Sequence, residues 1–280
     1  MRHLLAMALC LATLLAPDRA ARAEVLASVN GGGGALNQSN TGPVFAQASG
    51  ALNDGNFAIQ GQSYGSLATG AMGLKVAATP FVPLLSGPVG SAAVDLWDTL
   101  RISGPGTAPV LVTFTLELDA ALYFNPLQGS QAARMFLGAN FGFGGINERG
   151  IEVERAQSKD ENGAVTVDTI QCWGSCSGFN QPLTTAGVID ATLQFTALLS
   201  QSINLPFHAR LQGNVYTSIG AVGVVDALNT AQLSVSLPAG YTLSSASGAF
   251  LTSPVPEPSS WTLMLLGAAA ICRHRTRRLS

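Results

Sequence analysis

The sequence predicts an all-β protein, an antiparallel β-sandwich or jelly roll, with an N-terminal signal helix and a short C-terminal hydrophobic helix. Segments rich in β-branched and aromatic residues alternate apolar with polar positions, which is typical of half-buried strands. Segments rich in glycine and proline separate these strands at short intervals, as they do in sandwiches. No amphipathic helix longer than two turns interrupts the pattern.

The N-terminus has the three regions of a secretory signal peptide. A basic start at Arg2 precedes an apolar core at residues 4–16, and a small-x-small sequence ends on Ala23. We therefore expect signal peptidase to cut between Ala23 and Glu24. A buried N-terminal helix is the alternative, and thirteen apolar residues are too few to span a bilayer comfortably.

The segment 110–119 shows the strand pattern most clearly. Its apolar side chains are predicted to face a second sheet: Val112, Phe114, Leu116 and Leu118. The intervening side chains are predicted to face solvent: Thr113, Thr115, Glu117 and Asp119. Further strands are predicted at 94–103, 187–200, 207–220 and 230–238, with a hairpin at 151–170 that turns at 160–163. The glycine-rich segment 30–42 is expected to be a flexible lead-in followed by edge strands.

Charge and cysteine content both fit an exported protein. The span from Glu24 to Pro258 has seven basic and fifteen acidic residues, a net charge of −8, which makes nucleic-acid binding improbable. Cys172 and Cys176 are the two cysteines of this span and are predicted to form a local disulfide. A redox dithiol or half of a metal site is the alternative, but three residues separate the cysteines and no second Cys/His pair exists.

Candidate catalytic groups are few. His208 is the one histidine of the same span, and a structural role on a strand is expected, although a spatial triad around it stays open. Glu117 and Asp119 are hydrolase candidates, because a glycosidase needs two carboxyl groups about 5–10 Å apart across a cleft. Solvated strand faces are expected to account for the other acidic pairs: Asp95 and Asp98 beside Trp97, and Glu152 and Glu154 before Arg155.

Two kinds of ligand site remain as alternatives. Four oxygen donors near the predicted hairpin turn could bind calcium, but their spacing matches no known loop, so a plain turn is expected: Asp160, Glu161, Asn162 and Asp168. Five aromatic residues could form a sugar-stacking face, although core packing accounts for most of them: Trp97, Tyr123, Trp173, Tyr216 and Tyr241. No metal and no cofactor is predicted.

The C-terminal segment has three parts in a set order. A Pro-Glu-Pro triplet comes first, at Pro256, Glu257 and Pro258. Residues 261–272 are apolar and amount to about 18 Å of helix, well short of a hydrocarbon core of about 30 Å. A basic stop follows, which is expected to stay on the cytoplasmic side: Arg273, Arg275, Arg277 and Arg278. This order resembles the PEP-CTERM sorting domain.

The resemblance implies that the tail is a processing signal. In that family an exosortase, a membrane cysteine transpeptidase, recognises the tail and processes it near the Pro-Glu-Pro motif. The family occurs in Gram-negative bacteria that make extracellular polysaccharide. The resemblance makes this chain a substrate of the exosortase and gives no evidence that it is an enzyme. A plain single-pass anchor is the alternative.

The sequence thus predicts four regions and a non-enzymatic role. The regions are a signal peptide at 1–23, one β domain at 24–252, a linker with the Pro-Glu-Pro motif at 253–259, and a sorting helix with a basic tail at 260–280. We expect transient anchoring in the inner membrane, then transfer to the cell surface or extracellular matrix, in association with extracellular polysaccharide. A carbohydrate-binding module is the first alternative and a secreted hydrolase the second.

Overall fold

A computed structural model describes residues 23–82, 88–125, 131–143, 146–160, 163–173, 176–177 and 187–251. Within these ranges the fold is all-β, as predicted, and two antiparallel sheets enclose one apolar core. None of the helical residues in this part of the chain forms a segment that could cross a membrane. The predicted signal helix, linker and C-terminal helix lie outside the described ranges.

Sheet A has eight strands. In chain order they are β1 (Glu24–Gly31), β2 (Leu36–Gly42), β6 (Gly90–Ser103), β8 (Ala132–Phe143), β9 (Ile146–Asp160), β10 (Gly163–Trp173), β13 (Leu205–Thr217) and β15 (Thr242–Ser245). Their order across the sheet is β10-β9-β8-β13-β6-β1-β2, and the short strand β15 pairs with β6.

Sheet B has seven strands. They are β3 (Phe45–Asn53), β4 (Phe57–Ser66), β5 (Ala71–Pro80), β7 (Val110–Phe124), β11 (Cys176–Ser177), β12 (Val188–Leu199) and β14 (Gly223–Ser236). Their order across the sheet is β11-β12-β7-β14-β5-β4-β3. Neighbours in the chain are often neighbours in the sheets, and the remaining connections cross between the two layers.

The predicted strands are confirmed. The predicted segments fall in β6, β7, β12, β13 and β14, and the predicted hairpin is β9–β10, in which Asp160 pairs with Gly163. In β7 the side chains of the predicted inner set are buried, whereas Glu117 and Asp119 are exposed. Alternation of apolar residues was therefore enough to identify which face of this strand lies against sheet A.

The flexible lead-in predicted for residues 30–42 is wrong. Residues 30–31 end β1, which pairs with β6 on one side and β2 on the other, inside sheet A. Glycines 32–34 form a short 3₁₀ turn with φ angles of 58°, 65° and 100°, and Gly32 N–H donates to the Val89 carbonyl at 2.9 Å. The glycines are there because this tight reversal needs left-handed backbone angles. The edge strands are confirmed, since β2 and β3 are sheet edges.

Five phenylalanines occupy the centre of the core and come from both layers. Phe114 and Phe195 belong to sheet B, Phe143 and Phe207 to sheet A, and Phe250 follows β15. The Phe114 ring lies edge-on to Phe143 at a centroid distance of 4.7 Å. The Phe207 ring lies 5.1 Å from the Phe250 ring. Aromatic packing therefore joins the two sheets and also holds the end of the described chain.

Candidate functional site

The hydrolase candidates lie on opposite outer faces of the sandwich. Glu117 and Asp119 project from β7 on the solvent side of sheet B. His208 projects from β13 on the solvent side of sheet A, because its neighbours Phe207 and Ala209 are buried in the core. The structure therefore does not bring His208 together with Glu117 or Asp119.

His208 has partners on its own sheet. Its Nε2 lies 3.0 Å from Oδ1 of Asp95, and its ring stacks on Trp97 with a centroid distance of 5.1 Å and an interplanar angle of 13°. Nη1 of Arg210 lies 3.8 Å from the same Asp95 oxygen. Asp95 is buried beneath these side chains. The histidine is thus one member of a hydrogen-bonded and stacked cluster on a sheet surface.

Asp98 faces the interior, unlike Asp95. It is 2% exposed, and its carboxylate accepts hydrogen bonds from the backbone N–H of Thr99 (2.7 Å) and of Ser247 (3.2 Å). The Ser247 hydroxyl donates a third bond, at 2.5 Å. The expectation of a solvated face is wrong for both Asp95 and Asp98, since each is buried. Asp98 fastens the segment that leads toward the C-terminus.

Two acidic residues of β9 and β10, Glu154 and Asp168, make ion pairs. Glu154 pairs with Arg134 at 2.6 Å, and Asp168 lies 3.3 Å from Nε of Arg155. Burial raises the pKa of Asp168, against the lowering effect of the Arg155 charge. The side chain of Asp160 and residues 161–162, the other parts of the calcium alternative, lie outside the described part of the structure. Among the described side chains, no group of three His, Cys, Asp or Glu residues could hold a metal ion.

The five candidate aromatic residues do not share one face. Trp97 and Tyr216 lie on sheet A, where Arg134 covers the Tyr216 ring at 5.8 Å. Tyr123 lies on the outer side of sheet B. Tyr241 follows β14, and its hydroxyl donates to the Pro105 carbonyl at 3.4 Å. The Trp173 side chain lies outside the described part of the chain. A sugar-stacking face made by this whole set is not formed.

A groove on the outer face of sheet B is the better candidate, and the sequence did not reveal it. Its volume is about 590 Å³, and its lining comes from four strands: Ser49, Gly50, Ala51, Gln60, Gly61, Gln62, Lys75, Ala77 and Leu228. A second groove of about 380 Å³ shares Ser49 and Gln62 with it and reaches Tyr64 and Asn40. We call the two together the sheet B groove. Amide and hydroxyl groups dominate its polar lining.

An ion pair between Lys75 and Asp226 lies at one side of the sheet B groove. Lys75 on β5 and Asp226 on β14 are directly paired in register, and Nζ lies 2.5 Å from Oδ2. The hydrogen bond to Asp226 is the main reason that the pKa of Lys75 is raised, so the ammonium stays charged at neutral pH. Both side chains are about one-third exposed, at 37% and 28%. A ligand in the groove would therefore meet a donor and an acceptor side by side.

Backbone features shape the walls of the groove. The register of β14 shifts between Ala227 and Ala231, which places Leu228 at the rim, and Leu228 N–H donates to Asp226 Oδ1 at 3.3 Å. The ring of Tyr64 on β4 packs directly against Gly73 on β5. A Cβ atom at Gly73 would come within 2.4 Å of this ring, so only glycine leaves room for it. Burial raises the pKa of Tyr64, consistent with this flat packing. The glycine thus allows the ring to rest against the sheet.

The comparisons with known proteins concern the C-terminal tail. The family described as PEP-CTERM protein-sorting motif matches residues 254–278. This chain carries a PEP-CTERM sorting motif. The predicted resemblance is confirmed, and the match includes Pro256, Glu257 and Pro258 with the four arginines of the basic stop. The PEP-CTERM motif indicates an exported protein that an exosortase sorts, with processing at the membrane before it reaches the surface. No curated protein matches the chain.

Proposed function

We propose that the mature protein is a non-enzymatic surface protein that binds extracellular polysaccharide in the sheet B groove. The observation that carries this proposal is the groove lining of amide, hydroxyl and paired charged groups. Sugar hydroxyls both donate and accept hydrogen bonds. Gln60 and Gln62 offer both kinds of group, Lys75 donates and Asp226 accepts. The groove crosses four strands on the outer face of sheet B, which suits a polymer better than a small enclosed molecule.

The positions of the carboxylates near the sheet B groove favour binding without hydrolysis. A glycosidase needs one carboxyl group to donate a proton and a second to act as base or nucleophile. Asp226, beside the groove, is bound to Lys75 at 2.5 Å. Glu117 and Asp119 project from β7, on the far side of β14 from the Gln60 and Gln62 strand. We therefore propose a binding role, with no cofactor and no metal.

The binding test compares substitutions inside the sheet B groove with a substitution outside it, on the same outer face of sheet B. Affinity electrophoresis is run with purified extracellular polysaccharide of the producing organism, and with dextran and alginate as defined neutral and acidic polymers. Gln62→Ala combined with Lys75→Ala should weaken binding at least about tenfold, equivalent to about 1.4 kcal/mol. Gln194→Ala, an exposed glutamine on β12 outside the groove, is the matched control and should leave binding unchanged. The proposal fails if no polymer retards the protein, or if both variants bind as the parent does.

We further propose that the chain is processed at both ends. Strand β1 begins at Glu24, so a cut between Ala23 and Glu24 leaves the strand whole. Removal of the tail near the Pro-Glu-Pro motif would release the β domain, residues 24–252, from the inner membrane to the matrix. Intact-mass analysis of surface protein from the native host should show a start at Glu24 and loss of the basic tail. Retention of Arg277 and Arg278 would contradict exosortase processing and leave a plain anchor.

The cysteine pair is proposed to be a structural crosslink. Cys172 is the next-to-last residue of β10, and Cys176 begins β11 in the other sheet. The export of the chain and the short spacing of the two cysteines support a disulfide between Cys172 and Cys176. Such a bond would join the ends of two edge strands that belong to different layers.

A further inference from the structure

The tail leaves the domain at one end of the sandwich, which we call the tail end. Leu251, the last described residue, donates its N–H to the Leu67 carbonyl at 2.8 Å. Leu67 in turn donates to the Val44 carbonyl at 2.8 Å. On the sheet A side, the Phe250 ring packs on Phe207. The chain is therefore held at this end up to its last described residue, Leu251.

Five described loops lie toward the same end of the sandwich as this exit, and none has a charged residue. They are residues 43–44, 67–70, 104–109, 200–204 and 237–241. Hydrogen bonds join three of them: Gln201 Nε2 donates to the Ala108 carbonyl at 2.6 Å, and the Tyr241 hydroxyl donates to the Pro105 carbonyl. The described final segment, 246–251, is also uncharged. Contact with an apolar medium would therefore desolvate no ionised side chain of these loops.

Large apolar side chains are exposed at the tail end. Leu111 and Leu198 are direct cross-strand partners on the outer face of sheet B, and they are 53% and 70% exposed. Ile203, in the loop that follows β12, is 46% exposed. Phe45, at the start of β3, is 50% exposed. Phe45 lies five strands from β12 across sheet B, so the exposed group consists of Leu111, Leu198 and Ile203. A group of exposed apolar side chains marks a contact with a protein or a membrane.

The sorting tail indicates that the membrane, and not another protein, is the partner that lies near the tail end. Nine residues, 252–260, separate the last described residue from the apolar stretch, and a chain of this length can span at most about 30 Å, at about 3.3 Å per residue. The tail end is thus kept beside the bilayer for as long as the tail is anchored. A short tether gives even a weak surface contact a high effective concentration.

We propose that the tail end rests on the lipid bilayer before processing, with Leu111, Leu198 and Ile203 inserted in the interface. This proposal depends on membrane anchoring by the sorting tail. The span from Glu24 to Pro258, with its net charge of −8, is repelled by anionic lipid. Apolar insertion through loops that have no charged residue is the mode of contact that remains favourable. Loss of the tail removes the tether, so the weak contact then dissociates and the domain is released.

The experiment compares two isoleucines of similar exposure at opposite ends of the sandwich. Ile203 lies at the tail end, and Ile219, 50% exposed, lies in the loop between β13 and β14 at the other end. The leader-free precursor, residues 24–280 with Cys272→Ser, is labelled with an environment-sensitive fluorophore after Ile203→Cys or Ile219→Cys. It is reconstituted in phosphatidylethanolamine/phosphatidylglycerol vesicles that contain a doxyl-lipid quencher. Flotation first establishes that the protein is on the vesicles.

The label at position 203 should be quenched at least about twofold more than the label at 219, because interfacial insertion brings it to the quencher. Adding Leu111→Ser and Leu198→Ser should reduce quenching at 203 while the protein still floats. Equal quenching at both positions in floating protein would overturn the proposal and leave tail anchoring intact. Failure to float would overturn the anchoring on which it depends. Quenching at 203 only in membranes that contain exosortase would replace lipid by that enzyme as the partner.

Discussion

Replacement of Phe114 by alanine is the sharpest test of the sandwich. Phe114 has no exposed surface, and its ring contacts Phe143 edge-on at 4.7 Å and stacks toward Phe207 at 6.2 Å. Its cross-strand partners within sheet B are Phe195 and Val235. The side chain is therefore enclosed by both layers.

The expected loss in unfolding free energy follows from this enclosure. Burying a phenylalanine side chain contributes about 1.5–3 kcal/mol by transfer alone. The cavity left by the ring raises the total to about 3–5 kcal/mol, and two hydrogen-bonded sheets collapse poorly into it, so the upper half of that range is expected. This is a large share of a typical stability of about 5–15 kcal/mol.

Urea denaturation of the leader-free protein, followed by tryptophan fluorescence, measures the change. Thr115→Ala is the matched control, because Thr115 is the next residue of β7 and faces solvent. It should cost well under about 1 kcal/mol. A loss below about 1.5 kcal/mol for Phe114→Ala, or similar losses for both variants, would refute the placement of Phe114 between the sheets.

Three further predictions concern other parts of the fold. Asp98→Ala should speed proteolysis within residues 242–251 while the sheets persist, because Ser247 loses its acceptor; an unchanged cleavage rate would contradict this anchoring role. Burial raises the pKa of Asp168 above 3.8, so the folded state binds its proton more tightly than the unfolded chain does. The unfolding free energy contributed by this group should therefore be present below pH 3.8 and fall as pH rises through the raised pKa, and Asp168→Asn should remove that part of a pH titration of stability. Cys172 and Cys176 should resist alkylation until reduced, and free thiols in exported protein would refute the disulfide.

The strand pattern was predictable because it is local. In β7 each side chain alternates between core and solvent, so ten residues suffice to identify the strand and its buried face. The sorting motif is also local, since a processing enzyme reads a short linear segment, and residues 254–278 carry it entirely. The glycine-rich turn was misread because composition alone does not distinguish a flexible segment from a tight reversal. Only the pairing of β1 with β6 shows that the segment is a tight reversal within sheet A.

The sequence by itself determined the strand class, the alternation of faces and the sorting signal, because each depends on residues close together in the chain. The tertiary structure alone decided which distant residues meet. Lys75 and Asp226 are 151 positions apart, and only the β5–β14 register makes them a pair. Asp95 and Asp98 look alike in sequence, yet their positions on β6 direct them to opposite sides of sheet A. The sheet B groove and the uncharged loops of the tail end arise in the same way, since both combine segments whose proximity depends on strand order.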